Sequence, residues 1–182
     1  MKYVSIVIAL VIGIIACNQP VKGRNGVTYK SAVQYNDYIV SRQTKLMQHI
    51  LDFSKAASNN LDSAEKMLTE FTNETTQTVE DIKGMPAYKG DTSLRDAAVR
   101  SFNFYKNVFQ NDYTRIIQIR KKGYEMTNEE VEEMQRIVDK ITREEDGFDK
   151  SFHNAQKSFA DKNNMKLAEN EMQKKFEKEI GQ

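Results

Sequence analysis

Residues 131–159, VEEMQRIVDKITREEDGFDKSFHNAQKSF, decide the fold. Taking every third and fourth position gives Val131, Met134, Val138, Ile141, Glu145, Phe148, Phe152, Ala155 and Phe159. Only Glu145 is not apolar. That spacing sets all nine on one narrow stripe of a single long helix. A stripe of this kind needs cover, and the rest of the chain reads as the helices that cover it.

Working outward, the breakers are sparse. The chain of 182 residues has two prolines, Pro20 and Pro86, and eight glycines. Beyond residue 17, all the glycines but Gly147 fall where a helix should start or stop, which predicts few, long helices. The stripe stays in register across Gly147, so the glycine reads as tolerated, with a hinge as the alternative. Upstream, Thr127-Asn128-Glu129-Glu130 is a capping box that starts the fourth helix. Before it, Leu94, Ala98, Phe102, Tyr105, Val108, Phe109, Ile116 and Ile119 line a third helix, with a weaker capping box at Ser93-Leu94-Arg95-Asp96 and a stop at Gly123. Gly84, Pro86 and Gly90 form the loop ahead of it. A second helix carries Leu61, Ala64, Met67, Leu68, Phe71, Thr75, Val79 and Ile82. The first helix is expected to begin at Thr28 as N-cap and to run to Ser58, turning at Asn59-Asn60.

Short connections between long helices make sequence neighbours antiparallel. The expected fold is therefore all-α, an up-down-up-down four-helix bundle over residues 28–160. A three-helix arrangement with an extended fourth helix is the rival. Past Phe159 the stripe fails, because Lys162 and Lys166 fall on it. A new apolar set, Met165, Ala168, Met172 and Phe176, starts out of register, so a break is expected near Asn163-Asn164. Residues 161–182 read as a charged helical tail that docks on the bundle, pairs with a partner helix, or frays.

The chain opens with Lys2, an apolar run from Val4 to Ile15, and then Ala16-Cys17, the pattern of a secretory signal over residues 1–16. The run is short for a spanning helix, which needs about 20 residues. The tetrad Ile14-Ile15-Ala16-Cys17 resembles the bacterial lipoprotein box, whose usual form is Leu, a small residue, Gly or Ala, then Cys. Ala16 and Cys17 match; Ile14 and Ile15 depart from it. The resemblance implies cleavage before Cys17 and acyl chains on its thiol and new amino group, hence attachment to a membrane. An uncleaved N-terminal anchor is the alternative. Residues 17–27, with Pro20, Gly23 and Gly26, read as a flexible tether. Asn18 to Asn25 contain no Asp or Glu, so the resemblance favours an outer-membrane anchor, on either face.

Composition excludes some functions. The 27 basic residues less Lys2 leave 26 against 26 acidic ones, which weighs against nucleic-acid binding. Cys17 is the sole cysteine, so no disulfide or Cys-based metal site can form within the chain. Ferritin-like di-iron bundles need Glu-x-x-His pairs, but the residues three before His49 and His153 are Leu46 and Lys150. No Gly-x-Ser-x-Gly turn or phosphate-cradling glycine loop occurs. No catalytic residue, cofactor or metal ligand is therefore assigned.

One polar constellation stands out. At 1.5 Å per residue, Gln43, Thr75, Tyr105 and Glu145 fall within ~5 Å of one height in an antiparallel bundle. A buried carboxylate must be hydrogen-bonded, paired or neutralised, and a Tyr hydroxyl and a Gln amide can donate to it. The layer reads either as a register-fixing network or as a pocket for a small ligand or ion.

The first helix carries Tyr35-Asn36-Asp37-Tyr38-Ile39-Val40, followed by Gln43. With the lipobox and an all-helical body, this resembles a family of uncharacterised bacterial surface lipoproteins first described from spirochaetes. The likeness covers about the leader and the first helix. It implies an envelope location and a helical fold and adds no reaction. The expected function is non-catalytic: a lipid-anchored bundle that binds another envelope component or gives structural support, with ligand binding around Glu145 as the alternative.

Overall fold

In a computed structural model, which describes residues 20–167, the stripe lies on one unbroken helix, α5 (Asn128–Lys162). Thr127 starts it. Its hydroxyl accepts from the Glu130 N–H at 3.3 Å, and the Glu130 carboxylate accepts from the Thr127 N–H at 3.2 Å. Two backbone donors that the helix leaves unused are thereby satisfied. The helix runs through Gly147, which is exposed.

Three further helical rods precede it. They are α1 (Ala32–Asn59), α2 (Leu61–Lys83), and a third made of α3 (Ser93–Asn107), a π-helical segment (Val108–Tyr113) and α4 (Thr114–Arg120). A 3₁₀ turn, Gly123–Glu125, leads into α5. Asn60 closes α1 and caps α2, its side chain accepting from the Ser63 N–H at 2.9 Å. The protein is an all-α helical bundle.

The ends of the rods show their directions. At one pole the start of α1, the loop after α2 and the end of α5 meet in an aromatic cluster. Tyr35 lies 5.3 Å from Tyr88 and 5.4 Å from Phe159, ring centroid to centroid. At the other pole Lys121, just after α4, pairs with Asp62 and Glu65 near the start of α2. Neighbouring rods are therefore antiparallel. Inside, Ile39, Leu94, Phe102, Phe109 and Ile117 are fully buried. Each such side chain contributes roughly 1.5–3 kcal/mol relative to an exposed one.

Four expectations are corrected. The first helix does not begin at Thr28. That residue lies in β2 (Thr28–Tyr29), paired antiparallel with β1 (Val21–Lys22), and Ser31 caps α1 instead. Residues 21–27 are accordingly no free tether. The Arg24 N–H donates to the Gly84 carbonyl at 2.7 Å, and Asn25 Nδ2 donates to the Tyr29 hydroxyl oxygen at 2.7 Å and to the Asp81 carbonyl at 3.0 Å. Glycine makes this approach possible: a Cβ on Gly23 would sit 2.8 Å from the Gly84 oxygen. The capping box at Ser93–Asp96 does not form, since Asp91 accepts from the Ser93 N–H and Asp96 accepts from the Thr92 hydroxyl. The third helix is interrupted by the π segment, into which the Thr114 hydroxyl at the start of α4 reaches back five residues to the Phe109 carbonyl.

The fourth correction concerns the stripe itself. Ile141, Phe152 and Phe159 are buried, but Val131 and Val138 are 49% and 44% exposed. On α5 these two valines lie on the line of Gln156, which faces α1, and α1 does not close over them. Near its end the helix stops where the sequence indicates, at Asn163-Asn164, with Asn164 in the left-handed region at φ 52°. The leader, Cys17 and the tail beyond Leu167 lie outside the described residues.

Candidate functional site

The polar layer forms in part. Tyr105, in the last turn of α3, donates from its hydroxyl to Glu145 Oε1 on α5 at 2.7 Å. Tyr105 is buried, and burial pushes its hydroxyl well above the ordinary tyrosine range, assisted by the negative charges of Asp149 and Glu145. The phenol therefore keeps its proton and can serve as the donor that a carboxylate in this position needs. The ring of Phe104 stacks on Phe148 at 4.8 Å and fixes the two helices on either side of the bond.

Thr75 and Gln43 are not part of this contact. Thr75 is buried on α2 and faces a different compartment, a cavity of about 20 Å³ shared with Arg42, His49, Glu74 and Phe102. That is room for about one water molecule. Gln43 is half-buried on α1, seven residues past Asn36 and so on the α1 line that faces α5. Thr75 is turned away from the layer, and Gln43, though on the side of α1 that faces α5, is not a partner in the Tyr105–Glu145 bond.

Three residues that the sequence reading missed complete the polar cluster. The π segment carries Asp112 and Tyr113. Asp112 is 8% exposed and accepts from Lys140 Nζ on α5 at 2.9 and 3.0 Å. Tyr113 stacks on Phe53 of α1, centroids 4.6 Å apart. Its pKa is pushed up to about 12, by burial first and then by Glu145 and Asp112. One signal was present in the sequence: the apolar line of the third helix lapses between Phe109 and Ile116, where the extra residue of the π turn falls.

Two other polar groupings among the described residues lie beside cavities. On the α1–α2 face, His49 lies flat on Phe71 at 4.0 Å, with Nε2 3.2 Å from Glu74. Burial lowers its pKa, against the pull of Glu74. Lys45 holds the same carboxylate at 2.7 Å. At the aromatic pole an open groove of about 800 Å³ is lined by Lys89, Asp91, Asp96, Arg100 and Lys162 among others. Its carboxylates are already engaged. Asp91 accepts from Lys162 at 2.6 Å and from the Ser93 hydroxyl at 2.6 Å, which holds its carboxyl well below the usual range. Asp96 accepts from Arg95 at 2.9 Å.

Among the described residues, no three His, Cys, Asp or Glu side chains come together as metal ligands would, and no helix is long and apolar enough to cross a membrane. Comparison with protein-family models, curated proteins and solved structures finds no match to this chain.

Proposed function

We propose that this chain is a non-catalytic lipoprotein of the bacterial cell envelope, attached through acyl chains on Cys17, whose helical bundle binds another envelope protein or supports the envelope structurally. One observation from the geometry supports this over ligand binding: the carboxylate that sequence places in the core, Glu145, is engaged by the Tyr105 hydroxyl at 2.7 Å. Neither cavity described above is lined by Glu145, Tyr105 or Gln43. A polar layer spent on its own members fixes the register of α5 against α3. The sequence supplies the attachment, a sole cysteine at the position a lipobox requires.

Two measurements test the reading. Cells given an alkyne-tagged fatty acid should label the wild-type chain and leave Cys17→Ser unlabelled. Affinity capture from cross-linked envelopes should then recover a protein partner with the wild-type chain and lose it with the unanchored variant. An unlabelled wild-type chain found in the soluble fraction would overturn the attachment.

A further inference from the structure

The two segments clasped together at the aromatic pole carry charge of one sign. Lys22, Arg24 and Lys30 lie in and beside the β1–β2 hairpin, Lys83 ends α2, and Lys89 sits in the loop after it; all five are exposed. Residues 20–30 and 83–90 contain no Asp or Glu. Local structure turns these side chains outward. In the β1–β2 ladder Val21 pairs with buried Tyr29, so the next pair, Lys22 with Thr28, takes the outer face. Lys89 and Gly90, at φ 51° and 83°, form the two-residue tip of a tight turn closed between Tyr88 and Asp91. The bond from the Arg24 N–H to the Gly84 carbonyl joins the two segments.

The acids that immediately flank these segments offset little of this charge. Glu80 holds Lys83 at 2.8 Å, but Asp81 is paired with Arg42 at 3.7 Å and Asp91 with Lys162 at 2.6 Å. Among the described residues, Lys22, Arg24 and Lys30 take part in no ion pair. The connections at the opposite pole have the other sign. Residues 60–65 and 121–130 carry Asp62, Glu65, Glu125, Glu129 and Glu130 against Lys121 and Lys122. The bundle therefore has a cationic end, next to Pro20, and an acidic end far from it.

We propose that the cationic end is a docking surface for an anionic lipid bilayer, the one to which the chain is attached; this rests on the reading of Cys17 as the acylated residue. Only Asn18, Gln19 and Pro20 lie between Cys17 and β1. Covalent geometry limits the reach from Cys17 to Val21 to about 14 Å. A folded domain is about 30 Å across, so the link leaves no room for an acidic protein between this pole and the bilayer. The Debye length is about 10 Å at 0.1 M salt, so the cations meet a surface potential that salt screens only in part. Each lysine or arginine held there strengthens association with an anionic surface about fivefold. Docked by this end, the bundle stands out from the bilayer, and α5, of 35 residues and about 52 Å in length, carries the acidic turn at Tyr124 away from it.

The full chain, purified from cell envelopes, tests this on vesicles of phosphatidylcholine alone or mixed with phosphatidylglycerol, with a quencher carried on the lipid headgroups. A fluorophore is placed through Thr28→Cys at the cationic end or Tyr124→Cys at the other. Adding phosphatidylglycerol should raise the quenching of the first label several-fold and leave the second unchanged. The rise should vanish in 1 M salt, where the Debye length falls to about 3 Å, and in the triple variant Lys22→Glu, Arg24→Glu and Lys89→Glu, whose melting temperature should match that of the parent. Quenching at Thr28→Cys that ignores the lipid charge, or that survives the charge reversal, overturns the proposal. Flotation separates this inference from the attachment. A chain that floats with phosphatidylcholine alone is attached; one that floats only with the anionic vesicles keeps the docking surface and overturns the reading of Cys17; one that floats with neither overturns both.

Discussion

Raising the pH should unfold this bundle by ionising its buried phenols. Six tyrosines have raised pKa values, chiefly through burial: Tyr29 and Tyr113, each to about 12, and Tyr35, Tyr38, Tyr88 and Tyr105 in the same direction. A phenol in the unfolded chain begins to ionise near pH 10. In the folded chain it still holds its proton there, so the unfolded state loses protons first. The contribution of each group is complete below pH 10 and drains as pH rises towards 12. At pH 11, one unit past the unfolded value, a group displaced by about two units has lost about 1.4 kcal/mol. Tyr29 and Tyr113 together then cost about 3 kcal/mol, and the other four add to it, against a typical total of 5–15 kcal/mol. Urea unfolding followed by far-UV circular dichroism at pH 8, 10 and 11 measures the loss. Tyr113→Phe supplies the control, since its stability should fall by about 1.4 kcal/mol less than wild type between pH 9 and 11. Identical slopes for the two proteins, or a phenolic titration with every group near pH 10, would refute the burial argument.

Gly147→Ala should stabilise the protein by about 1 kcal/mol, because the glycine is exposed within α5 and a Cβ there meets nothing within 4 Å; a rise of about 2–4 °C in melting temperature checks it. Thr127→Ala removes the capping box and should cost about 1 kcal/mol in urea unfolding. Tyr105→Phe takes away the donor to Glu145 and should cost about 1.5 kcal/mol, as for a hydrogen bond to a charged acceptor. With Glu145→Leu and the double variant measured beside it, a double loss smaller than the sum of the two single losses would show that the two side chains act as a unit; a double loss equal to that sum would show that they do not.

Local signals were legible wherever one short segment decides the outcome. The Thr127–Glu130 box, the turn at Asn59-Asn60 and the break at Asn163-Asn164 each depend on neighbours within a few residues. The Tyr105–Glu145 pairing was legible too, since counting residues in antiparallel rods fixes height. What counting does not fix is rotation about each rod, and there Thr75 parts from the layer. The small hairpin at Val21–Tyr29 depends on the Gly84 carbonyl some sixty residues away, and nothing in its own residues marks that partner. The π segment hid for a related reason: one extra residue in a turn changes which side chains face inward, bringing Asp112 to α5 and Tyr113 to α1 where an ideal period puts others. Val131 and Val138 carry the right spacing for a covered seam, yet spacing is silent on whether the neighbour lies close enough.

The clasp between Gly23 and Gly84 bears on how the molecule carries load. A pull applied at Pro20 is taken first by the β1–β2 pair and by the amide bonds of Arg24 and Asn25 to the Gly84 oxygen. That oxygen belongs to the residue that ends α2, so the force enters a second rod before it can unwind the start of the first. The aromatic pole thus works as a strain relief, and a single methyl group at position 23 would be enough to unhook it.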